Sequence, residues 1–138
     1  MRIRATTDYA IRAVLYLALK GERCSSREIA EAMDIPRDLL VQIAIPLRRS
    51  SIIEAQSGKY GGYALLKDPS DITLYDLVHA MEDEPELLGS ANFDEVADEN
   101  AAELVKETYS AIQSDLEASL AATSIMQIAQ KELASAAC

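Results

Sequence analysis

Histidine and cysteine are scarce in this sequence: His79 is the only histidine, and Cys24 and Cys138 are the only cysteines in 138 residues. Two thiols with no paired spacing write neither a disulfide framework nor a thiolate zinc site. A lone histidine in a short helix beside acids is expected to be structural or at the surface rather than a metal ligand. There is no G-x-S-x-G and no Walker spacing, so an enzyme is not expected. The acidic run Glu82, Asp83, Glu84 and Glu86 carries oxygen ligands without the loop geometry that calcium needs, and reads as solvated loop. No apolar run approaches the ~20 residues that span a bilayer. The N-terminus lacks the order of regions of a signal peptide. The expectation is a cytoplasmic protein with no membrane partner, no metal and no cofactor. Internal repeats and low-complexity linkers are missing as well.

What is present is a real core: apolar residues make up 49% of the chain. The length suits one domain, or one domain with an oligomerisation arm. The net charge is −10, but it is unevenly placed. Residues 1–69 hold eleven Lys and Arg against eight Asp and Glu, while residues 70–138 hold only Lys106 and Lys131 against fifteen acids. A polyanion responds to the local patch and not to the whole-chain charge. The first half is therefore open to nucleic acid, and the second would repel it.

The most informative stretch runs from Ser25 to Tyr63. Ser25 and Glu28 have capping-box spacing, and Ile29, Ala30 and Met33 follow on one face. Asp34 and Ile35 break that pattern, and Pro36 suits the first position of a second helix. There Leu39, Leu40, Ile43, Ala44 and Leu47 share one side; Arg37, Asp38, Val41, Gln42 and Arg49 share the other. Two short helices joined by so tight a turn read as a helix-turn-helix. Pro46 lies inside the second and is expected to make it finish early, the alternative being a functional kink. Next, Ile52 to Ala55 alternates, Ser57 to Gly62 turns and Tyr63 to Leu65 returns, which is a hairpin wing.

Asp8 to Lys20 is apolar nearly all round and reads as a buried brace, capped by Thr7 or Thr6 and stopped by Gly21. Lys67 to Asp71 reads as a turn. Thr73 with Asp76 opens a short helix through Leu74, Leu77, Val78 and Met81, and an irregular loop follows from Asp83 to Ala91. A long helix is expected from about Asn92, capped by Asn92 and Glu95, to Ala122. Its stripe of Leu104, Val105, Tyr109, Ile112, Leu116 and Leu120 has the period of helix-to-helix packing. A domain this small does not need such a helix for its own core, so the stripe is read as an interface. Thr123 to Ala134 forms a last amphipathic helix.

Several motifs then match one family in order. They are Met1-Arg2-Ile3, Thr7 to Ala18, Ser26-Arg27-Glu28-Ile29-Ala30, Pro46-Leu47-Arg48-Arg49, Gly58-Lys59-Tyr60-Gly61-Gly62-Tyr63 and Ile72 to Val78. With these the sequence resembles the BadM/IscR/NsrR family of bacterial winged helix-turn-helix regulators, specifically over about its first eighty residues and more loosely beyond. The resemblance implies a mainly α fold with a small β-hairpin wing: a DNA-binding domain over 1–83, then a loop, a long dimerisation helix and a C-terminal helix over 84–138. It implies a DNA-binding transcription regulator, expected to repress, acting as a homodimer on a palindromic operator of double-stranded DNA. The dimer residues would be Val105, Tyr109, Ile112, Leu116 and Leu120.

Many members of this family hold an iron–sulfur cluster on three cysteines in the loop before the long helix. Here residues 83–94 contain none, and clusters need thiolates. Asp8, where some relatives recruit a fourth ligand, reads as a first-turn helix acid. The base-reading positions carried over from relatives are Asp38, Val41, Gln42 and Ser57. Gln42 suits an adenine edge and Asp38 a cytosine, while Val41 and Ser57 depart from the relatives' pattern. Arg2, Ser26, Arg27, Arg37, Lys59 and Tyr60 complete the DNA-binding set, the charged ones suited to phosphate. Cys24, between Arg23 and the Ser25 cap, is a candidate redox thiol, because a helix N-terminus and a cation favour the thiolate. The alternative for it is a small half-buried apolar residue, and the alternative for the whole chain is a partner-binding winged helix that no longer binds DNA. The sequence names no small-molecule or protein effector.

Overall fold

A computed structural model describes residues 3–82 and 97–136. Six helices and one hairpin follow in order: α1 (Ala5–Lys20), α2 (Ser26–Met33), α3 (Arg37–Arg49), β1 (Ile53–Gln56), β2 (Gly62–Leu65), α4 (Leu74–Met81), α5 (Glu99–Ala121) and α6 (Ile125–Ala136), with a 3₁₀ turn at Pro69–Asp71 before α4. The mainly helical fold with a two-stranded wing is the one the sequence led us to expect.

Helix α1 is the centre of the core. It packs against α2, α3, α4, α6 and β2, and Ala10, Ala13, Val14 and Leu17 are buried along it. Gly21 closes it in the left-handed region (φ 69°), its N–H bonded to the Leu17 carbonyl at 2.9 Å. Its start differs from expectation. The helix opens at Ala5 behind Arg4 with no side-chain cap. Thr7 lies buried in the first turn and donates its hydroxyl to the Glu82 carboxylate at 3.1 Å. Thr7 is already the third residue of the helix, past the cap position, and its side chain serves this tertiary bond instead.

Ser25 caps α2 by accepting from the Glu28 N–H at 3.1 Å. The return half of that box is diverted, because the Glu28 carboxylate accepts the Tyr16 hydroxyl at 2.6 Å and so fastens α2 to α1. The box at α4 is complete: Thr73 and Asp76 exchange bonds of 3.0 and 3.1 Å. Helix α3 does not finish early. It continues through Pro46 to Arg49, and Leu47, 1% exposed, anchors the turn beyond the proline in the core. The lost hydrogen bond falls in the last turn, where its cost is smallest.

The C-terminal part of the chain returns to the same core. Leu74 N–H bonds the Thr123 carbonyl at 2.9 Å and Ile125 N–H bonds the Ile72 carbonyl at 2.8 Å. Ile125 is fully buried in the core, and α6 packs against α1 and the 3₁₀ turn. Ser124 and Gln127 form a reciprocal cap for α6 at 3.1 and 3.2 Å. Helix α5 starts at Glu99, capped by Asp98, which accepts from the Ala101 N–H at 3.0 Å. The expected start at Asn92 is therefore wrong, Ala97 and Asp98 being non-helical; the Asn92–Glu95 cap and the Asp83–Ala91 loop themselves lie outside the described residues. At 23 residues α5 is about 34 Å long, and Ala102 is its single buried residue.

Candidate nucleic-acid interface

The reading head is assembled by contacts that tie its parts to one another. Asp34 takes a left-handed conformation (φ 53°) between α2 and α3, and its N–H bonds Ala30. The α3 face carrying Leu40, Ile43, Ala44 and Leu47 is buried against the brace. Burial of these four fixes the rotation of the helix. What must then face solvent is Arg37, Asp38, Val41, Gln42, Ile45, Arg48 and Arg49, all exposed.

The wing is an antiparallel pair with Ile53 opposite Leu65 and Gln56 opposite Gly62. Its first strand lies one residue further on than the alternation suggested, with Ile52 buried before it, and its second begins one residue earlier, at Gly62. A third element, unseen in the sequence, holds it: Cys24 pairs with Tyr63 through backbone bonds of 3.0 and 2.8 Å. Gly62 is required there, at φ 138°, because a Cβ would stand 2.2 Å from the Cys24 carbonyl oxygen. Arg23 reinforces the joint, donating to the Gly62 carbonyl at 3.1 Å and pairing with Glu54. Wing and helix-turn-helix are thus fastened to each other through the segment that precedes α2. At the tip, Ser57, Lys59 and Tyr60 are exposed, Tyr60 to 82%. The Lys59 ammonium lies over the Tyr60 ring at 5.6 Å from its centroid.

The candidate residues therefore divide. Asp38, Val41 and Gln42 share the outward face of α3, and Ser57, Lys59 and Tyr60 share the wing tip. Arg37, Arg48, Arg49 and Lys59 have no ion-pair partner among the described residues, so their charge is available to a polyanion. Arg27 is engaged differently, with its guanidinium on Glu31 at 3.0 Å one turn along α2. Ser26 is the first, half-buried residue of that helix. Arg2 lies outside the described residues. Sequence reasoning left Ile45 and Arg48 out of the recognition set. Extending the outward stripe from Val41 by two more turns, to i+4 and i+7, would have found both.

Two titrating groups are moved by this packing. The Glu28 carboxylate that accepts the Tyr16 hydroxyl pushes that phenol up to about 12. Cys24 is 2% exposed, and burial first, then the Glu28 and Glu22 carboxylates, push its thiol up to about 11. The expected thiolate-favouring field is the reverse of what surrounds it. Arg23 is turned away to Glu54 and Gly62, and Lys20, the cation that does favour the thiolate, is outweighed. Cys24 is a core residue, and the structure gives no ground for a redox role.

Comparison with known proteins decides the family. The Rrf2 family, described as an iron-dependent transcriptional regulator, matches residues 3–131. The chain belongs to the Rrf2 family. Among curated relatives it is 39% identical over 84 residues to protein aau3 of Rhizobium meliloti (strain 1021), covering 60% of this chain and 54% of that one. It is 33% identical over 94 residues to the transcriptional regulator NsrR of Shouchella clausii (strain KSM-K16), covering 67% and 63%. The chain thus matches somewhat more than half of the length of these relatives. The solved structure of CymR, the global cysteine regulator of B. subtilis, shares the fold with a TM-score of 0.75 at 23% identity, over 95% of this chain and 98% of that one.

The family's iron does not fit the donors present. Thiolate ligation of a cluster needs several cysteines, and this chain has one in the core and one at position 138. Asp8 is turned to Arg12 at 2.6 Å, and no group of three or more His, Cys, Asp or Glu converges among the described residues. Nor is any described helix long and apolar enough to cross a membrane.

Proposed function

We propose that the protein is a cytoplasmic, sequence-specific DNA-binding regulator that acts as a homodimer on a palindromic operator and represses by occupying it. The carrying observation is the outward face of α3: three arginines with no ion-pair partner among the described residues, beside Gln42 and Asp38, joined to a wing that bears Lys59. In a winged helix-turn-helix the second helix enters the major groove and its polar side chains reach base edges, while flanking cations neutralise phosphate. Membership of a family of transcriptional regulators supports the same reading.

The homodimer is supported by α5. Val105, Tyr109 and Ile112 are 39%, 37% and 47% exposed, and Leu116 and Leu120 are half-buried. An apolar stripe this open on a helix about 34 Å long is covered by a second copy's stripe, which brings two reading heads into a two-fold pair. A dimer seated across both half-sites excludes other proteins from that duplex.

Binding to duplex DNA selected from a random library should weaken steeply with salt, the logarithmic slope steepening by roughly 0.9 for each phosphate neutralised. Removal of Lys59 and Arg49 together should flatten it by about two such contacts. Salt-independent binding, or no binding, would favour the partner-binding alternative, in which the acidic second half is the working surface.

A further inference from the structure

We infer that Val41 and Ile45 read thymine: each packs on the 5-methyl group of one thymine in every half-site. The inference rests on the DNA-binding reading above and adds a base preference to it. Val41 is 53% and Ile45 51% exposed, on the same outward face as Gln42, one helical turn apart. The buried side of α3 is already filled by Leu40, Ile43, Ala44 and Leu47, so the core does not need the exposed halves of this pair. Arg37 precedes them and Arg48 and Arg49 follow, none with an ion-pair partner among the described residues.

That setting selects the occupant. Two side chains are far too little for a protein interface, which takes about 800 Å² from each partner. Cations at both ends of a short apolar strip suit a groove walled by phosphates. Within the major groove the thymine methyl is the apolar group that a base pair offers, and apolar side chains meet it. A guanine or cytosine edge facing Val41 or Ile45 would lose its hydrogen bonds to water and gain none, which penalises it. Four residues of helix rise about 6 Å and base pairs stack about 3.4 Å apart. The two methyls should therefore lie about two base pairs apart, with Gln42 beside Val41 available to a neighbouring adenine.

The test begins with the full-length protein and a random duplex library, from which the preferred sequence is selected. Each thymine of the selected duplex is then replaced by uracil, which removes the methyl and nothing else. Two positions in each half-site should lose affinity, about fourfold each for one buried methyl, and the remaining thymines should be indifferent. Val41→Ser should abolish the uracil effect at one position and Ile45→Ser at the other, with melting temperatures close to wild type because both side chains are exposed. Indifference to uracil at every position would overturn the assignment and leave the DNA-binding reading standing, as would discrimination that survives in both variants. If no sequence is enriched at all, both readings fail together.

Discussion

Helices α3 and α5 use their apolar residues in opposite ways. The shorter, of 13 residues, buries Leu40, Ile43, Ala44 and Leu47; the longer, of 23, buries Ala102 alone. Helix α3 is held by its own chain and presents charge outward. Helix α5 leaves Leu104, Val105, Tyr109 and Ile112 open in an acidic half that does not attract DNA. The difference separates two kinds of stability. The reading head shares one core with α4 and α6, and in the homodimer proposed above a second copy completes α5. An apolar stripe is core or interface according to whether its own chain covers it, and periodicity alone does not distinguish the two.

The comparison breaks most visibly if the stripe is charged. Ile112→Asp with Leu116→Asp removes about 1.5–3 kcal/mol of burial for each side chain in a dimer and adds carboxylates that pairing would desolvate. We expect this variant to be monomeric by light scattering and to lose operator affinity by orders of magnitude, while circular dichroism still reports a folded, largely helical chain. Complete unfolding would instead make the stripe part of the chain's own core.

A sharper contrast comes from truncation to alanine in each region. Leu47→Ala empties a fully packed site and should cost about 2–5 kcal/mol, the same at every protein concentration up to the dimer's own contribution. Ile112→Ala should change the denaturation midpoint by an amount that depends on protein concentration, because only the paired state feels the loss. Denaturant titrations at two concentrations a hundredfold apart would check this. Equal concentration behaviour in the two variants would erase the distinction.

The smallest effect expected is at Cys24, inside the well-packed region. Its thiol is raised from 9.0 to about 11 in the folded protein, so the folded state holds its proton longer than the unfolded one. Stability from this source is complete below pH 9 and is lost as pH rises towards 11. Wild type should therefore lose stability over that window more than Cys24→Ala does, Tyr16 adding to the decline in both. Thiol reagents at neutral pH should label Cys24 far more slowly in native protein than in denaturant, and peroxide should affect DNA binding alike in wild type and Cys24→Ala. Rapid native labelling would contradict the buried assignment.

Local chemistry was legible in the sequence wherever it had no tertiary competitor. The α3 core face, the Gly21 stop, the Thr73–Asp76 box and the wing all follow from spacing and turn residues, and all are present. Misreadings arise where a distant partner claims a group. Thr7 is taken by Glu82, Glu28 by Tyr16, and the turn beyond Pro46 is retained because Leu47 is needed inside. Cys24 looked electropositive from its neighbours in sequence, and its pairing with Tyr63 and the turning of Arg23 towards the wing were invisible there. The return of α6 to the core was equally hidden, since an amphipathic helix does not say what it packs against. Of the interface, the outward positions Asp38, Val41 and Gln42 could be read, and Ile45 was missed although it lies four residues on from Val41 in the same stripe.

The most direct test of the whole account is the native mass of the complex on a selected palindromic duplex, measured beside that of the free protein. The account predicts two chains in the free protein and two on each duplex, with a duplex cut to one half-site bound far more weakly. One chain in solution and one on the palindrome, with half-site and full site bound equally well, would contradict it.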